Sequence, residues 1–504
     1  MKKTIILLCF ILVKFIIQYS LIGSEYDLQR DEFLHLDQAN HLAWGYLSVP
    51  PVTSWISYVI KLLGNSVFWI KFFPALFGAL TILVVWKTIE ELKGNLFALI
   101  FGASCITFSV LFRLNMLYQP NSLDVLCWTT MFYLIIKYLN TSKTKWLYWL
   151  AITFAIGFLN KYNIIFLVFG LLPAILLTPE RKIFLNKHLY FAMLLALILI
   201  TPNLIWQYDN DFPVIHHMEI LSKTQLANVN RWSFIRSQLL FFPGTFIVFI
   251  FGMYALIRFQ EFKKYRLFFW MFFITIGIFL FFKAKDYYAI GLYPIYFAFG
   301  SVYISSFLEN RIGKFLKPVL VLSAIALFLP VFNIAFPNKT PDYFASHPEK
   351  YKKYGMLTWE DGKDHQLPQD FADMLGWKEL ARKVDSTYAK MPSPKNTLVL
   401  CDNYGQAGAI NYYSKRGIHA VSFNADYINW FDLKTKYQHL IRVKEYDSSN
   451  SELKETAPYF QKSSISGSVT NQYAREFGTT IFSFINTKID INERIKKEIE
   501  ENRF

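Results

Sequence analysis

Residues 26–51 read YDLQRDEFLHLDQANHLAWGYLSVPP. Arg30, Asp31, Glu32, His35, Asp37 and His41 fall within a dozen positions, and Trp44, Gly45, Tyr46 and the Pro50-Pro51 pair follow. Apolar runs flank this polar island, residues 4–22 before it and 67–86 after it. Ionisable groups are costly in hydrocarbon, so they collect at the ends of spans or at a site. The stretch is therefore expected at one mouth of a helical membrane bundle, as its chemical centre.

Composition supports that setting. Of 504 residues, 54% are hydrophobic and only 18% charged, which is too apolar for a soluble globule of this size. The net charge of +15 does not imply nucleic acid, because Lys and Arg cluster in short loops between apolar runs. Cys9, Cys105 and Cys127 lie inside apolar runs and Cys401 lies alone in the polar tail. They form no disulfide framework and read as small buried hydrophobes.

Lys2 and Lys3 precede run 4–22, which reads as an uncleaved first helix with a cytoplasmic N-terminus. Residues 23–66 then form the first outer loop, in which 53–63 has helical spacing but is too short to span. Further spans are expected at 67–86, 96–112, 122–139, 146–159, 164–177, 189–206, 234–257, 267–282, 289–307 and 318–335, making about eleven transmembrane helices. The expected cytoplasmic turns carry Lys87 and Lys93; Lys143 and Lys145; Arg181, Lys182 and Lys187; Arg258, Lys263, Lys264 and Arg266; and Arg311, Lys314 and Lys317. Positive charge thus marks each inner turn, which places the C-terminus outside.

From residue 336 the pattern turns soluble, dividing the chain into a transmembrane domain (1–335) and an extracytoplasmic one (336–504). Residues 375–390 and 406–414 read as helices, and 397–401, 418–423 and 479–485 as strands, a small α/β domain. The ending INERIKKEIEENRF reads as a charged, exposed helix or tail.

Several groups could carry chemistry. Adjacent carboxylates such as Asp31-Glu32 point different ways on regular structure, so one can act on a substrate while the other orients a cation or loop. The same pair also fits a solvated loop. In RLNMLYQPNSLD (113–124), Asp124 opens a span, with Arg113 and Gln119 as candidate substrate-binding groups. An acid there equally fits a helix cap or first turn. Lys283 and Lys285, in KAKDYY (283–288), go against the charge trend. With the hydroxyls of Tyr287 and Tyr288 they suit a lipid phosphate, although snorkelling beside an aromatic belt would place them alike. Lys161 sits in another tight outer turn, and His216-His217 in the long loop 207–230. Two adjacent histidines lack the spacing of a helical metal site, so no metal and no cofactor are assigned.

These residues resemble a known family. RDEFLHLDQANHLAWGY followed by Pro-Pro is similar to the first outer loop of the family 39 glycosyltransferases, the dolichyl-phosphate-mannose protein mannosyltransferase-like membrane enzymes whose bacterial relatives include aminoarabinose transferases. The resemblance continues through LYQPNSLDVLCW, GFLNKYNIIFLVFGLLPAILLTPER, TPNLIWQYDNDFPVIHH, KAKDYYAIGLYPIYFAFG and, in the tail, DNYGQAGAINYYSKRG. It implies the GT-C fold and inverting transfer of one sugar from a polyprenyl-phosphate donor to a lipid, glycan or protein acceptor at the outer face of the cell membrane. The family's acidic motif falls on Asp31-Glu32, its later span acid on Asp124, and its Lys-Tyr-Tyr turn on Lys285, Tyr287 and Tyr288.

Lipid A sugar transferases often place an acid and a lysine before the Pro-Pro pair, where Ser48-Val49 stand here. Phosphate neutralisation then falls to Arg30, Lys283, Lys285 or Lys161, and His41 joins the candidate binding groups. Asp31 is the expected base, with Glu32 or Asp124 orienting. A transporter or lipid flippase would also carry polar groups, but nearer mid-span and with an inverted repeat. A structural scaffold could have lost the acids altogether.

Overall fold

The computed structural model describes residues 1–224, 226 and 229–502, apart from the side chains of 447–450. Gln225, Ala227 and Asn228 of the expected 207–230 loop, and Arg503 and Phe504 of the expected terminal helix, lie outside the described residues. Among the described residues, six helices are long and apolar enough to cross a membrane: Lys2–Ser20, Val67–Glu91, Asn121–Thr141, Lys187–Asp209, Asp286–Phe307 and Arg311–Ala335. Ile164–Leu176 with Pro179–Leu185 would be a seventh, bent by 108°.

Two of the expected spans are interrupted as helices. Residues 234–257 split into Arg231–Leu240 and Phe246–Arg258, because Pro243 lacks an amide donor and restricts Phe242 before it. Residues 96–112 end as a helix at Thr107, and Val110–Leu114 starts afresh. The break sits at Ser109, whose backbone is extended and whose hydroxyl donates to the Ile106 carbonyl at 3.0 Å. Serine bonds of this local kind compete with the helical ladder. Part of the expected 207–230 loop is a helix, Pro213–Thr224.

The chain divides into two compact units. The first holds Met1–Leu21, Val49–Thr53 and Ser66–Asn338; the second holds Ile22–Ser48, Ser54–Asn65 and the chain from Lys339 onward.

In the first unit, helix packing relies on small residues. A Cβ at Gly252 would strike the Tyr296 carbonyl, and one at Gly300 the Val248 carbonyl, so Phe246–Arg258 and Tyr293–Phe307 touch backbone to backbone. Lipid tails supply no hydrophobic drive between helices, and close approach replaces it. Polar groups also reach inside. Lys14 donates to Gln18 (2.9 Å), Gln18 to the Asn115 carbonyl (2.5 Å) and Lys71 to the Met116 carbonyl (3.0 Å). The first helix is thereby tied to the bundle by buried hydrogen bonds. Cys105 and Cys127 are buried in this unit; Cys9, expected to be buried, is exposed on the first helix.

The second unit contains a five-stranded sheet: β1 (Thr397–Cys401), β2 (Ala420–Ser422), β3 (His439–Lys444), β4 (Phe460–Ser468) and β5 (Thr480–Thr487). The order is β2-β1-β3-β5-β4, with β2, β1 and β3 parallel and β5 antiparallel to both its neighbours. Val399 of β1 pairs with Ala420 on one side and Ile441 on the other. Every β1 residue is buried, as the unbroken apolar run of a central parallel strand requires. Trp377–Tyr388 buries Trp377, Leu380, Ala381 and Val384. The terminal helix Ile491–Asn502 is not a free tail, since Ile491 and Ile495 pack into the core with Leu398, Phe482 and Phe484.

Candidate active site

In the first unit the side chains gather around the start of Asn121–Thr141. Asp124 lies in that helix's first turn, but its carboxylate does not cap it. One oxygen accepts from Trp128 Nε1 at 2.9 Å and the other from Asn163 Nδ2 at 3.0 Å. Asp124 is 5% exposed, so it is an acid held by side chains and shut from water. Asn163 also donates to the Tyr288 carbonyl at 3.1 Å, joining the Lys161-Tyr162-Asn163 turn to the KAKDYY turn.

Lys161 is the cation of this cluster. Its ammonium donates to Asn121 Oδ1 at 2.7 Å and lies 4.3 Å from the Tyr288 ring centroid and 5.2 Å from that of Tyr287. Asn121 in turn donates to Gln119 Oε1 at 2.9 Å. Burial pulls the lysine pKa down to about 8, Asp124 pulling it up and Lys285 pressing it further down. The Lys285 charge also reaches His217, whose pKa is lowered by burial first. Lys283 instead takes a left-handed backbone, φ +50°, and no side-chain hydrogen bond or ion pair joins it to this cluster among the described residues. Arg113 sits in Val110–Leu114, ahead of Asn115, whose amide donates to Ser122 at 3.1 Å.

In the second unit the acidic motif forms an eight-residue helix, Arg30–Asp37, closed by a capping box. Gln29 Oε1 accepts from the Asp31 amide at 2.9 Å, and Glu32 accepts from the Gln29 amide at 2.7 Å. Glu32 is fully buried, and this bond fixes the start of the helix. Asp31 accepts from the Tyr404 hydroxyl at 2.6 Å, and the Arg30 guanidinium lies 4.3 Å over the Tyr404 ring. At the other end Asp37 accepts from Asn411 (2.6 Å), Tyr427 (2.8 Å) and Asn40 (2.9 Å). His41 stacks on Trp430 at 4.3 Å, and burial lowers its pKa. Burial also pushes Asp373 up to about 7 against the opposing pull of Arg475 and Arg30.

The candidate residues thus form two groups. Gln119, Asp124, Lys161, Lys285, Tyr287 and Tyr288 share one neighbourhood, and Arg30, Asp31 and Glu32 share another. Sequence reasoning left out Asn121, Trp128 and Tyr404. Trp128 lies one turn beyond Asp124, a spacing that puts both on one helix face. Tyr404 gave no comparable signal, standing hundreds of positions from Asp31. No group of three or more His, Cys, Asp or Glu side chains is arranged to hold a metal ion among the described residues.

Residues 48–206 match the family described as dolichyl-phosphate-mannose-protein mannosyltransferase. Over 256 residues the chain is 24% identical to the lipid A galacturonosyltransferase RgtD of Rhizobium johnstonii, a match covering 47% of this chain and 52% of that protein. The chain therefore spans about half the length of the curated relative it matches. Crystal structures of ArnT from Cupriavidus metallidurans superpose along nearly the whole chain. The apo form gives a TM-score of 0.64 at 12% identity, covering 96% of this chain and 98% of that one. The form bound to undecaprenyl phosphate gives 0.62 at 13% identity, covering 94% and 97%.

The chain thus shares the fold of ArnT along nearly its whole length, and within it residues 48–206 are similar to that mannosyltransferase family. The family match takes in Gln119, Asp124 and Lys161 but neither Asp31 nor the KAKDYY turn. With six long apolar helices among the described residues, the chain is an integral membrane protein.

Proposed function

We propose that this protein is a membrane glycosyltransferase. It moves a single sugar from a polyprenyl-phosphate donor to a lipid, glycan or protein acceptor at the outer face of the cell membrane, with inversion at the anomeric carbon. The N-terminus is cytoplasmic, and residues 336–504 form an extracytoplasmic α/β domain. The observation that carries the reading is the Lys161 cluster, where a cation framed by Tyr287 and Tyr288 stands near a buried acid, Asp124. The similarity to RgtD and the superposition on ArnT support the class.

The chemistry needs a base, a cation and exclusion of water. Asp31 takes the proton of the acceptor hydroxyl or amine as that atom attacks the anomeric carbon. The bond from that carbon to the phosphate oxygen breaks, and its electron pair leaves with the polyprenyl phosphate. Lys161, with Lys285 beside it in charge, neutralises the phosphate, as cationic clamps do on other transferring groups. Asp124 keeps Lys161 charged and holds the Asn163 turn in place. Glu32 fixes the helix that carries Asp31.

The experiment is reconstitution in proteoliposomes with radiolabelled undecaprenyl-phosphate-linked sugars and an envelope extract. Transfer gives loss of labelled donor, released undecaprenyl phosphate and a new labelled product. Label that crosses the bilayer still attached to its donor lipid would show a flippase instead.

A further inference from the structure

The tail motif DNYGQAGAINYYSKRG (402–417) lies outside the chemistry so far, and its contacts explain its composition. A Cβ at Gly405 would come within 2.6 Å of Arg30 Cγ, and one at Gly408 within 2.7 Å of Phe33 Cβ. Only glycine lets Tyr404–Tyr413 approach Arg30–Asp37 so closely. Other residues of the tail helix grip the same partner along its length. Tyr413 Oη accepts from the Leu28 amide (3.3 Å), Tyr412 and Tyr413 edge the Phe33 ring, and Asn411 donates to Asp37. An eight-residue helix has little stability of its own in water, so this packing decides where its acids point.

Within that grip Tyr404 makes two different contacts. Its ring lies beneath the Arg30 guanidinium, and its hydroxyl donates to Asp31 at 2.6 Å. A bond this short to a carboxylate is of the strong, charge-assisted kind and pins one oxygen of the group. A carboxylate that must accept a proton along a set line depends on such pinning, because small misplacements cost rate rather than binding.

We propose that Tyr404 is a positioning residue for the transfer reaction: its hydroxyl fixes the Asp31 carboxylate in the orientation that accepts the acceptor's proton. The tail helix Tyr404–Tyr413 thereby takes part in the reaction without touching substrate. The proposal rests on the reading of Asp31 as the base.

The test uses the full-length protein reconstituted as above, with kcat, KM for the undecaprenyl-phosphate-linked sugar, and Tm measured for each variant. Tyr404→Phe keeps the ring under Arg30 and removes only the donor. Its kcat is expected to fall roughly 10–100-fold with KM and Tm close to wild type. Tyr427→Phe removes the matching phenol bond to Asp37 at the far end of the same helix, and its kcat is expected to stay near wild type. Wild-type kcat in Tyr404→Phe would overturn the proposal. Losses of kcat in both variants that simply follow Tm would also overturn it, since they mark a structural role. If Tyr404→Phe folds poorly, the comparison moves to the Asp31→Asn background, where removing the hydroxyl should cost no further rate; an additive loss there refutes the coupling. Asp31→Asn alone separates the two ideas. If it retains turnover, the base reading fails and the proposal with it; if it is inactive while Tyr404→Phe is normal, positioning alone fails.

Discussion

The Lys161 ammonium stands 4.3 Å from the centroid of the Tyr288 ring. That contact joins two turns that lie far apart in sequence and brings Lys161 into an aromatic frame. Cation–π contact stabilises a charge without neutralising it, so the lysine stays available to an anion.

Phosphate binding should therefore depend on Lys161. Lys161→Met keeps the stem and removes the charge, and a lost charge-assisted bond is worth about 1.5–3 kcal/mol. The affinity for undecaprenyl phosphate in detergent should fall by about 10–100-fold on that scale. Lys283→Met should bind nearly as wild type. The reverse pattern would move the phosphate site to Lys283.

That affinity should also titrate. Burial brings Lys161 to about 8, so the ammonium is charged below that pH and neutral above it. Binding that needs the cation is strong on the acid side and fades as pH rises through about 8, where an ordinary lysine would hold to about 10. Fold stability runs the opposite way. The unfolded lysine still binds a proton between about 8 and its ordinary value of 10.5, so stability contributed by this group rises with pH across that window. Affinity measured on either side of pH 8 checks the first part, and Lys161→Arg should flatten the profile.

Asp124→Asn sets a donor against a donor. The new amide can still accept from Trp128, but its nitrogen would face Asn163 Nδ2, now 3.0 Å from the carboxylate. Asn163 can relieve this by flipping, which costs the bond to the Tyr288 carbonyl. The expected result is a folded protein with a weakened phosphate site, a raised KM for the donor and a smaller loss in kcat. Unchanged KM would show that the acid does not act through Lys161.

Orientation has its own check. A reporter active only outside the cytoplasm, fused after residue 504, should be active. A silent reporter, with a cytoplasmic one active in its place, would reverse the topology.

The sequence showed parts of this fold by distinct physical signals. Strand β1 was visible as TLVLC because a central parallel strand is apolar on both faces. Strand β3, HLIRVK, was missed since Arg442 and Lys444 interrupt the run; both are spent on Asp402, at 2.5 and 3.2 Å. Edge strand β4 was hidden by FQKSSISGS, which is largely exposed and polar. Among the apolar runs, composition marked helices but not their continuity, as the Pro243 and Ser109 breaks demonstrate. Buried Lys14 escaped notice for the opposite reason: one lysine in an apolar run looks like noise until Gln18 is seen accepting from it. At the candidate site, Asp31, Asp124 and Lys161 stood out as charges in apolar surroundings. Their partners Tyr404, Trp128 and Asn121 carry no formal charge and became visible only through contacts.

The central claim is that Asp31 is the base of a sugar transfer, and the most direct measurement is turnover by reconstituted Asp31→Asn. The substitution keeps the shape and leaves an oxygen for the Tyr404 hydroxyl, so folding, insertion and donor binding should persist. General-base assistance is typically worth ~10²–10⁴-fold, and kcat should fall by that order. A well-folded Asp31→Asn protein that transfers sugar at near wild-type rate would contradict the account.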